Sequence, residues 1–507
     1  MDINYFDLSG GINQSTTKTE LGLNPKRIFW TDSKNVELYN NKGIIRQKGN
    51  TLLTTLPEEE TIIAICSMSK NDRQKLVITT ESGKIYIYNS LDESLTLVNK
   101  TFTGTKVNII PFLNGVIISS ESNPMFYVKN NSIYEVEEYT VNDIENNTLI
   151  PDCITVHKSR VWCSKGSTLY YSAVGTYNDF TTANDAGYIN NFHVDTSNIK
   201  AMATYKDYLA VYKEDKVFLL SGSNPDDFAI ALFADRGAVS ANGIVNVDNK
   251  QYFLSDNGIF ALEQVGELNQ IRLGSEISLN IKKEFEKFDK SRLVNAYTVH
   301  YPDKHQVWYF ISYLNEEHLH TIWVNDYLNY AWYKRVIPQN ITAACLYNSQ
   351  VVSADNLGNI YVEDIGNTFN GTNIEFMWKS PFLSLGSILH RKQIDEFYFI
   401  LDDLKDNNFR FSIYKNYDSE YKEDVELISS RHYTHFMWAG ENTPDYEQYR
   451  WSEEENGSPI WPVTTEVMEK AEICDNNYAI QLCIEGQDIT DNCAIVGLQF
   501  REIYNDD

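Results

Sequence analysis

YKDYLAVYKEDKVFLLSGSNPDDFAIALFADRGAVSANGIVNVDNKQYFLSDNGIFAL, residues 205–262, runs strand, tight turn, strand three times over. Leu209–Tyr212 and Val217–Leu220 are apolar and flank a polar turn, Lys213–Lys216. After the loop Ser221–Asp227 come Phe228–Phe233, Gly243–Val247, Tyr252–Leu254 and Ile259–Leu262, separated by turns such as Asp248–Lys250 and Ser255–Gly258. An Asn-Gly pair like Asn257-Gly258 is expected to take the positive φ that short hairpin turns require. No helical period fits between these segments, so the stretch predicts a meandering antiparallel sheet.

Working outward, the same unit recurs. Ile62–Ser67, Leu76–Thr80 and Ile85–Tyr88 form one copy. Val107–Phe112, Val116–Ser119 and Met125–Val128 with Ile133–Val136 form a second, and Ile154–His157, Arg160–Cys163 and Thr168–Ser172 a third. Ile199–Thr204 joins the opening stretch to supply a fourth and fifth. Tyr297–Tyr301, Gln306–Ser312, His320–Val324 and Ala331–Tyr333 make a sixth; Ile341–Tyr347, Gln350–Ser353 and Asn359–Val362 a seventh. Short strands grouped at a spacing of roughly 30–45 residues are the pattern of a β-propeller, in which each blade is covered only by stacking on its neighbours. Six or seven blades fit residues 56–366, and two stacked β-sandwiches are the alternative.

Residues 1–55 are polar and turn-rich and read as an extended arm. It ends in a hairpin, Val36–Tyr39 with Ile44–Gln47, expected to close the ring and remove its exposed edges. One short amphipathic helix, Ser275–Asp289, places Ile277, Ile281, Phe285 and Phe288 on one face. Beyond the loop 366–372 the strands lengthen: Ile374–Lys379, Gln393–Leu401, Phe409–Tyr414, Tyr478–Glu485 and Ala494–Tyr504. Residues 373–507 therefore read as a separate C-terminal β-sandwich carrying a tryptophan-bearing insert, Trp438–Trp461, and an acidic run, Glu453–Glu455. The fold class is all-β.

Composition agrees. Aromatics make up 13% of the 507 residues, including 33 Tyr, which suits half-buried pleated faces. The formal charge of −27 argues against a basic footprint on duplex nucleic acid. It suits a chain that repels polyanions or docks on basic partners. Seven scattered cysteines form no C-x-x-C pair and predict reduced core thiols and assembly in a reducing cytosol. The opening MDINYFDLSGG lacks the features of a signal peptide, and no apolar run approaches a membrane span, so a soluble chain without membrane insertion is expected.

Candidate chemistry is sparse. His318 and His320 would share a strand face, but two imidazoles without a third ligand are a weak metal signal, as are His432 and His435. There is no G-x-S-x-G elbow, P-loop, G-x-G-x-x-G or EF-hand loop. Asp226-Asp227 reads as a pair of turn acids. Ser353–Gly358 and Ser255–Gly258 resemble the Asp-containing turns of sialidase-type propellers, which are structural there. No catalytic, cofactor-binding or metal-binding residue is assigned.

Several stretches, in order along most of the chain, resemble the tail hub, or nozzle, proteins of short-tailed bacteriophages, also called head-to-tail or tail stabilisation proteins. They are Phe6–Asn13 (FDLSGGIN), Asp32–Val36, Gly43–Gly49, Gly222–Phe228, Arg236–Ser240, Phe253–Phe260, Ser380–Gly386, His390–Lys392, Ala479–Glu485 and Val496–Tyr504. The family start carries R-x-G, whereas here Lys48 separates Gln47 from Gly49. The resemblance implies a propeller with a sandwich, assembled as a homo-oligomeric ring, usually of six copies, below the portal and adaptor. Double-stranded DNA would pass through its channel and tail fibres or spikes would dock outside. The protein would be built in the bacterial cytoplasm and reside in the virion tail. Part of the acidic excess is expected to line the channel.

Three functional classes follow: a structural virion component, a receptor- or glycan-binding tail protein using aromatic loops such as Trp438–Trp461, and a propeller glycan hydrolase. Trp438, Tyr446, Trp451 and Trp461 are assigned to a subunit interface, where aromatic side chains concentrate binding energy.

Overall fold

The computed structural model describes all residues except 1, 71–72, 122–123, 132, 193–194, 266–269, 315–318, 403–408, 426, 430–465, 487–493 and 507. The chain divides into two compact units, Lys48–Thr372 and a second made of Met1–Gln47 with Asn373–Asp507.

The first unit is a seven-bladed propeller. Six blades are antiparallel four-stranded meanders spanning 62–101, 107–139, 153–189, 201–234, 244–273 and 297–336. The seventh takes three strands from 341–363 and its fourth, Asn50–Thr55, from far upstream. Hydrophobic cores lie between blades rather than within them. Val77, Ile85 and Ile87 of the first blade pack with Val116, Ile118 and Phe126 of the second. Trp162 and Leu169 of the third pack with Leu209, Val211 and Phe218 of the fourth. Ile62, Leu76 and Ile78 of the first meet Ala343, Val352 and Ile360 of the seventh, which completes the circle.

Tight turns make these meanders possible. Lys158-Ser159 and Asn348-Ser349 are two-residue loops in which both residues have positive φ, matching the twist of the flanking strands. Asn257 and Gly258, by contrast, do not adopt positive φ. Gly258 answers a different constraint: a Cβ there would lie 2.7 Å from Glu276 Oε1.

The hairpin Val36–Tyr39/Gly43–Arg46 does not close the ring. Its second strand pairs with Ala494–Asp506, and a Cβ on Gly43 would sit 2.8 Å from Ile495 O, so its edge is already occupied in the other unit. Closure falls to Asn50–Thr55, paired antiparallel with Asn359–Glu363. Residues 1–55 are thus not one arm. The first 47 belong to the sandwich and the next few to the propeller.

A buried ion pair clasps this closure. Arg335, on the last strand of the sixth blade, is 1% exposed and lies 2.6 Å from Glu363, which is fully buried. Arg335 also donates to the carbonyls of Lys48 and Gly49, and its guanidinium lies 5.2 Å from the Trp308 ring centroid. Glu363 accepts further bonds from Asn50 Nδ2 (3.0 Å) and Ser353 Oγ (2.7 Å).

The sandwich is built from both ends of the sequence. One sheet runs 36–39, 43–46, 494–506, 391–402, 466–477 and 427–429, with Ile3–Tyr5 also on 494–506. The other runs 32–34, 376–379, 480–486, 409–415 and 422–425. Phe397 and Phe399 of the first sheet meet Phe411 of the second at ring separations of 5.5 and 4.9 Å, and Phe500 packs on Phe397 at 4.7 Å. The amphipathic segment is 3-10 helix over Leu279–Glu286 rather than α-helix, because Ile281 (φ −115°, ψ 20°) breaks the helical path. Ile281, Phe285 and Phe288 are nevertheless buried, as the pattern predicted.

Truncating Glu363 leaves the Arg335 cation buried without its carboxylate, a change that destabilises by about 3–5 kcal/mol in comparable sites. Chemical denaturation of Glu363→Ala should show a loss of that order; an unchanged midpoint at constant slope would show that the clasp is dispensable.

Candidate functional site

The four tryptophan and tyrosine positions assigned to an interface, Trp438, Tyr446, Trp451 and Trp461, lie outside the described residues, as do His318, His432, His435 and Glu453–Glu455. His320 is half-buried beside the strand Thr321–Asp326. Among the described residues no group of three or more His, Cys, Asp and Glu side chains could hold a metal ion. Asp227 caps its own turn, with Oδ1 accepting from the amides of Ser223 (2.8 Å) and Asn224 (2.7 Å), and these bonds hold its carboxyl below the usual range. Asp355 does the same for its turn, accepting from the amides of Leu357 and Asn359. Cys66, Cys153, Cys163, Cys345 and Cys483 are free thiols, and burial pushes Cys153 up to about 12.

The first strand of every blade faces the propeller axis, and side chains bridge between these strands, neighbour to neighbour for Thr204 and Asn246 and from the sixth blade to the first for Tyr297. Thr204 Oγ1 donates to Val156 O (2.8 Å), Asn246 Nδ2 to Thr204 O (3.0 Å) and Tyr297 OH to Ile63 O (2.9 Å). These seven strands, 62–70, 107–112, 153–157, 201–205, 244–247, 297–301 and 341–347, contain neither Asp nor Glu. The innermost strands therefore bring no carboxylate to the propeller axis, and the acidic excess lies elsewhere in the chain. Burial shifts several titratable groups on these strands, among them the His157 imidazole. His157 is 2% exposed, its Nδ1 shares a 3.2 Å hydrogen bond with Thr204 Oγ1, and its Nε2 is buried without a partner. Burial, with Lys158 adding to it, pushes the imidazole down to about 4.

A recess lies between the fifth and sixth blades. It is a cleft of about 240 Å³ whose floor holds Tyr252, Asn325 and Trp332 and whose rim carries Tyr327, Tyr330 and Leu279. Asn325 and Trp332 face each other across paired strands, and Trp332 Nε1 donates to Ile277 O (3.1 Å). The charged lining groups are paired among themselves. Glu263 meets Lys250 at 3.3 Å and Arg272 at 2.7 Å, and Glu276 meets Lys282 at 2.8 Å. Tyr330 stands 75% exposed on a left-handed turn position (φ 53°), held by the Asp326 carboxylate accepting from Asn329 N (2.8 Å). Individually unremarkable in sequence, these residues become a site only when two blades bring them together; the aromatic cluster 327–333 (YLNYAWY) is the one local signal that pointed there.

No family model and no curated sequence matches the chain. Among solved structures it is similar to virginiamycin B lyase from Staphylococcus aureus, at 13% identity over 62% of this chain and 99% of that one, with a TM-score of 0.42. It is also similar to the computationally designed Ika8 protein (14% identity, 62% and 100% coverage, TM-score 0.39) and to U3-55K (8% identity, 62% and 98%, TM-score 0.42). Likeness at this level carries nothing about chemistry.

His157 generates a pH prediction. Its folded pKa is depressed, so the unfolded chain binds the proton first and stability falls as pH drops from about 6.5 through 4. Between pH 7 and pH 4.5 the parent should lose roughly 2–3 kcal/mol more than His157→Gln. Equal losses in paired denaturation curves would mean that the imidazole is not held neutral.

Proposed function

We propose that this chain is a structural component of the tail of a short-tailed bacteriophage. In this reading several copies form a hub or nozzle ring below the portal–adaptor complex, pass the genome and anchor fibres or spikes. The chain itself does no chemistry.

The observation that carries the reading is where the glycines of the family-like stretches fall. Several sit where a side chain has no room, whereas Gly386 has open space around it and a left-handed φ of +107°. A Cβ on Gly10 would lie 2.4 Å from Ile28 O, on Gly49 1.8 Å from Thr368 O, and on Gly237 2.0 Å from Lys213 O. Gly222 combines φ +101° with a Cβ position 2.4 Å from Asp227 O. The resemblance therefore rests on positions that the backbone constrains, rather than on interchangeable turn residues.

The net charge of −27 is compatible with the same reading, but the acid-free inner strands require one refinement. A seven-stranded axis without acids is not an acidic conduit. A passage that repels phosphate has to be framed between copies, by the acids that the innermost strands lack. The reading is tested by the native mass of the purified chain, alone and with the portal–adaptor complex, and by images of the particle down its axis. The expected result is a ring with a central hole, of six copies if the resemblance holds, that does not retain double-stranded DNA. A chain that stays monomeric even with the adaptor present, or a compact trimer without a passage, sinks the proposal.

A further inference from the structure

We propose that His300, His305 and Tyr327, all of the sixth blade, hold a divalent first-row transition-metal ion through two imidazole nitrogens and one phenolic oxygen. The three side chains come from separate places in the blade. His300 is on the first strand, Tyr297–Tyr301, and His305 is in the turn that leads to the second, Gln306–Phe310. Tyr327 is in the turn after the third, Thr321–Asp326. Tyr327 N donates to His305 O at 3.1 Å, which ties the two turns together. Both imidazoles then converge on one atom: the Tyr327 hydroxyl lies 3.2 Å from His300 Nε2 and 3.4 Å from His305 Nδ1. A single O–H can donate to one ring and accept from the other, so hydrogen bonds gather the donors before any ion arrives.

Donor atoms about 2.0–2.1 Å from a tetrahedral ion stand roughly 3.3–3.4 Å from one another, close to the two separations found here. A modest rotation of each ring moves its lone pair from the hydroxyl oxygen onto an ion beside it. The cluster is reachable from solvent, because His305 is exposed and Tyr327 only half-buried. Its surroundings favour a cation. Burial raises the Tyr327 phenol, and the charges of Asp248 and Asp326 raise it further, so two carboxylates stand within electrostatic reach. Asp326 is engaged with Asn329 N at 2.8 Å, whereas Asp248 stands on an exposed turn of the fifth blade. The neighbouring Lys304 is drawn aside by Asp364 at 2.8 Å. Two imidazoles with one oxygen suit an ion such as Zn²⁺ or Co²⁺, rather than Mg²⁺ or Ca²⁺, which take oxygen shells.

Titration of the chelator-stripped full chain with Co²⁺, followed by visible absorption and then by competition with Zn²⁺, tests this. The expected result is a saturable band of the tetrahedral type, displaced by Zn²⁺ but not by excess Mg²⁺. Co²⁺ affinity should fall at least tenfold in both His305→Gly and Tyr327→Phe. His305 has a left-handed φ of 55°, which glycine accepts, and phenylalanine keeps the Tyr327 ring, so both variants leave the fold intact. Absence of the band, its displacement by Mg²⁺, or binding that either variant leaves unchanged would each overturn the assignment. None of these outcomes depends on whether the chain forms a ring.

Discussion

Ring closure by Asn50–Thr55 is the constraint on which the propeller depends. A circular stack has no free sheet edge, but only if the last blade is completed. Here the completing strand comes from the other side of the sequence, and its register is fixed at the end where polar groups converge. Glu363 accepts from Asn50, Ser353 and Arg335, while Arg335 reaches the carbonyls of Lys48 and Gly49. Strand pairing alone tolerates slippage; a buried carboxylate that must meet three donors does not. The clasp therefore contributes specificity of register as well as attraction.

The same device recurs elsewhere in the propeller. Arg160, 1% exposed, pairs with Asp185 at 2.6 Å and lies near the rings of Tyr171 and Phe228. Lys213, fully buried, meets Asp195 at 3.3 Å and lies 4.4 Å from the Phe192 centroid. In each case one cation is shared between a carboxylate and an aromatic face, so a charge can be held inside without a fully matched ionic shell. The abundance of Tyr and Phe thus serves polar burial as well as sheet packing. Asp195, facing both Lys213 and Lys216, is held well below the usual carboxylate range by Ser197 and these lysines, despite the opposing effect of burial. Acidification will reach that carboxylate only after most others have been protonated.

Much of this was legible from residue pattern. Short apolar runs separated by polar turns locate the three inner strands of all seven blades, because each buries a side against a neighbour; the outer strands Ser94–Thr101, Gly187–Ile189 and Gln270–Leu273 are more exposed and carried no such signal. The aromatic alternation of residues 393–401 and 409–414 likewise locates the two sheets of the sandwich. What escaped is non-local. Nothing in residues 36–55 says which of two successive segments completes the ring; that is decided by Ile495 beside Gly43 and by Glu363 beside Asn50. The segment 279–286 has helical spacing, yet its backbone leaves the helical path at Ile281 and forms 3-10 turns. The cleft left only the aromatic run 327–333 as a local trace, because Asn325 and Tyr252 lie on different blades.

Both units are finished by pairing residues near opposite ends of a long tract. During synthesis Asn50–Thr55 leaves the ribosome with no mate until Asn359–Glu363 follows, and Ile3–Tyr5 waits for Ala494–Asp506. The propeller can therefore complete before residues 373–507 are made, whereas the other unit cannot do so until Ala494–Asp506 has emerged. Contacts this distant in sequence are slow to form. Of the two early strands, Ile3–Tyr5 therefore waits the longer for its mate.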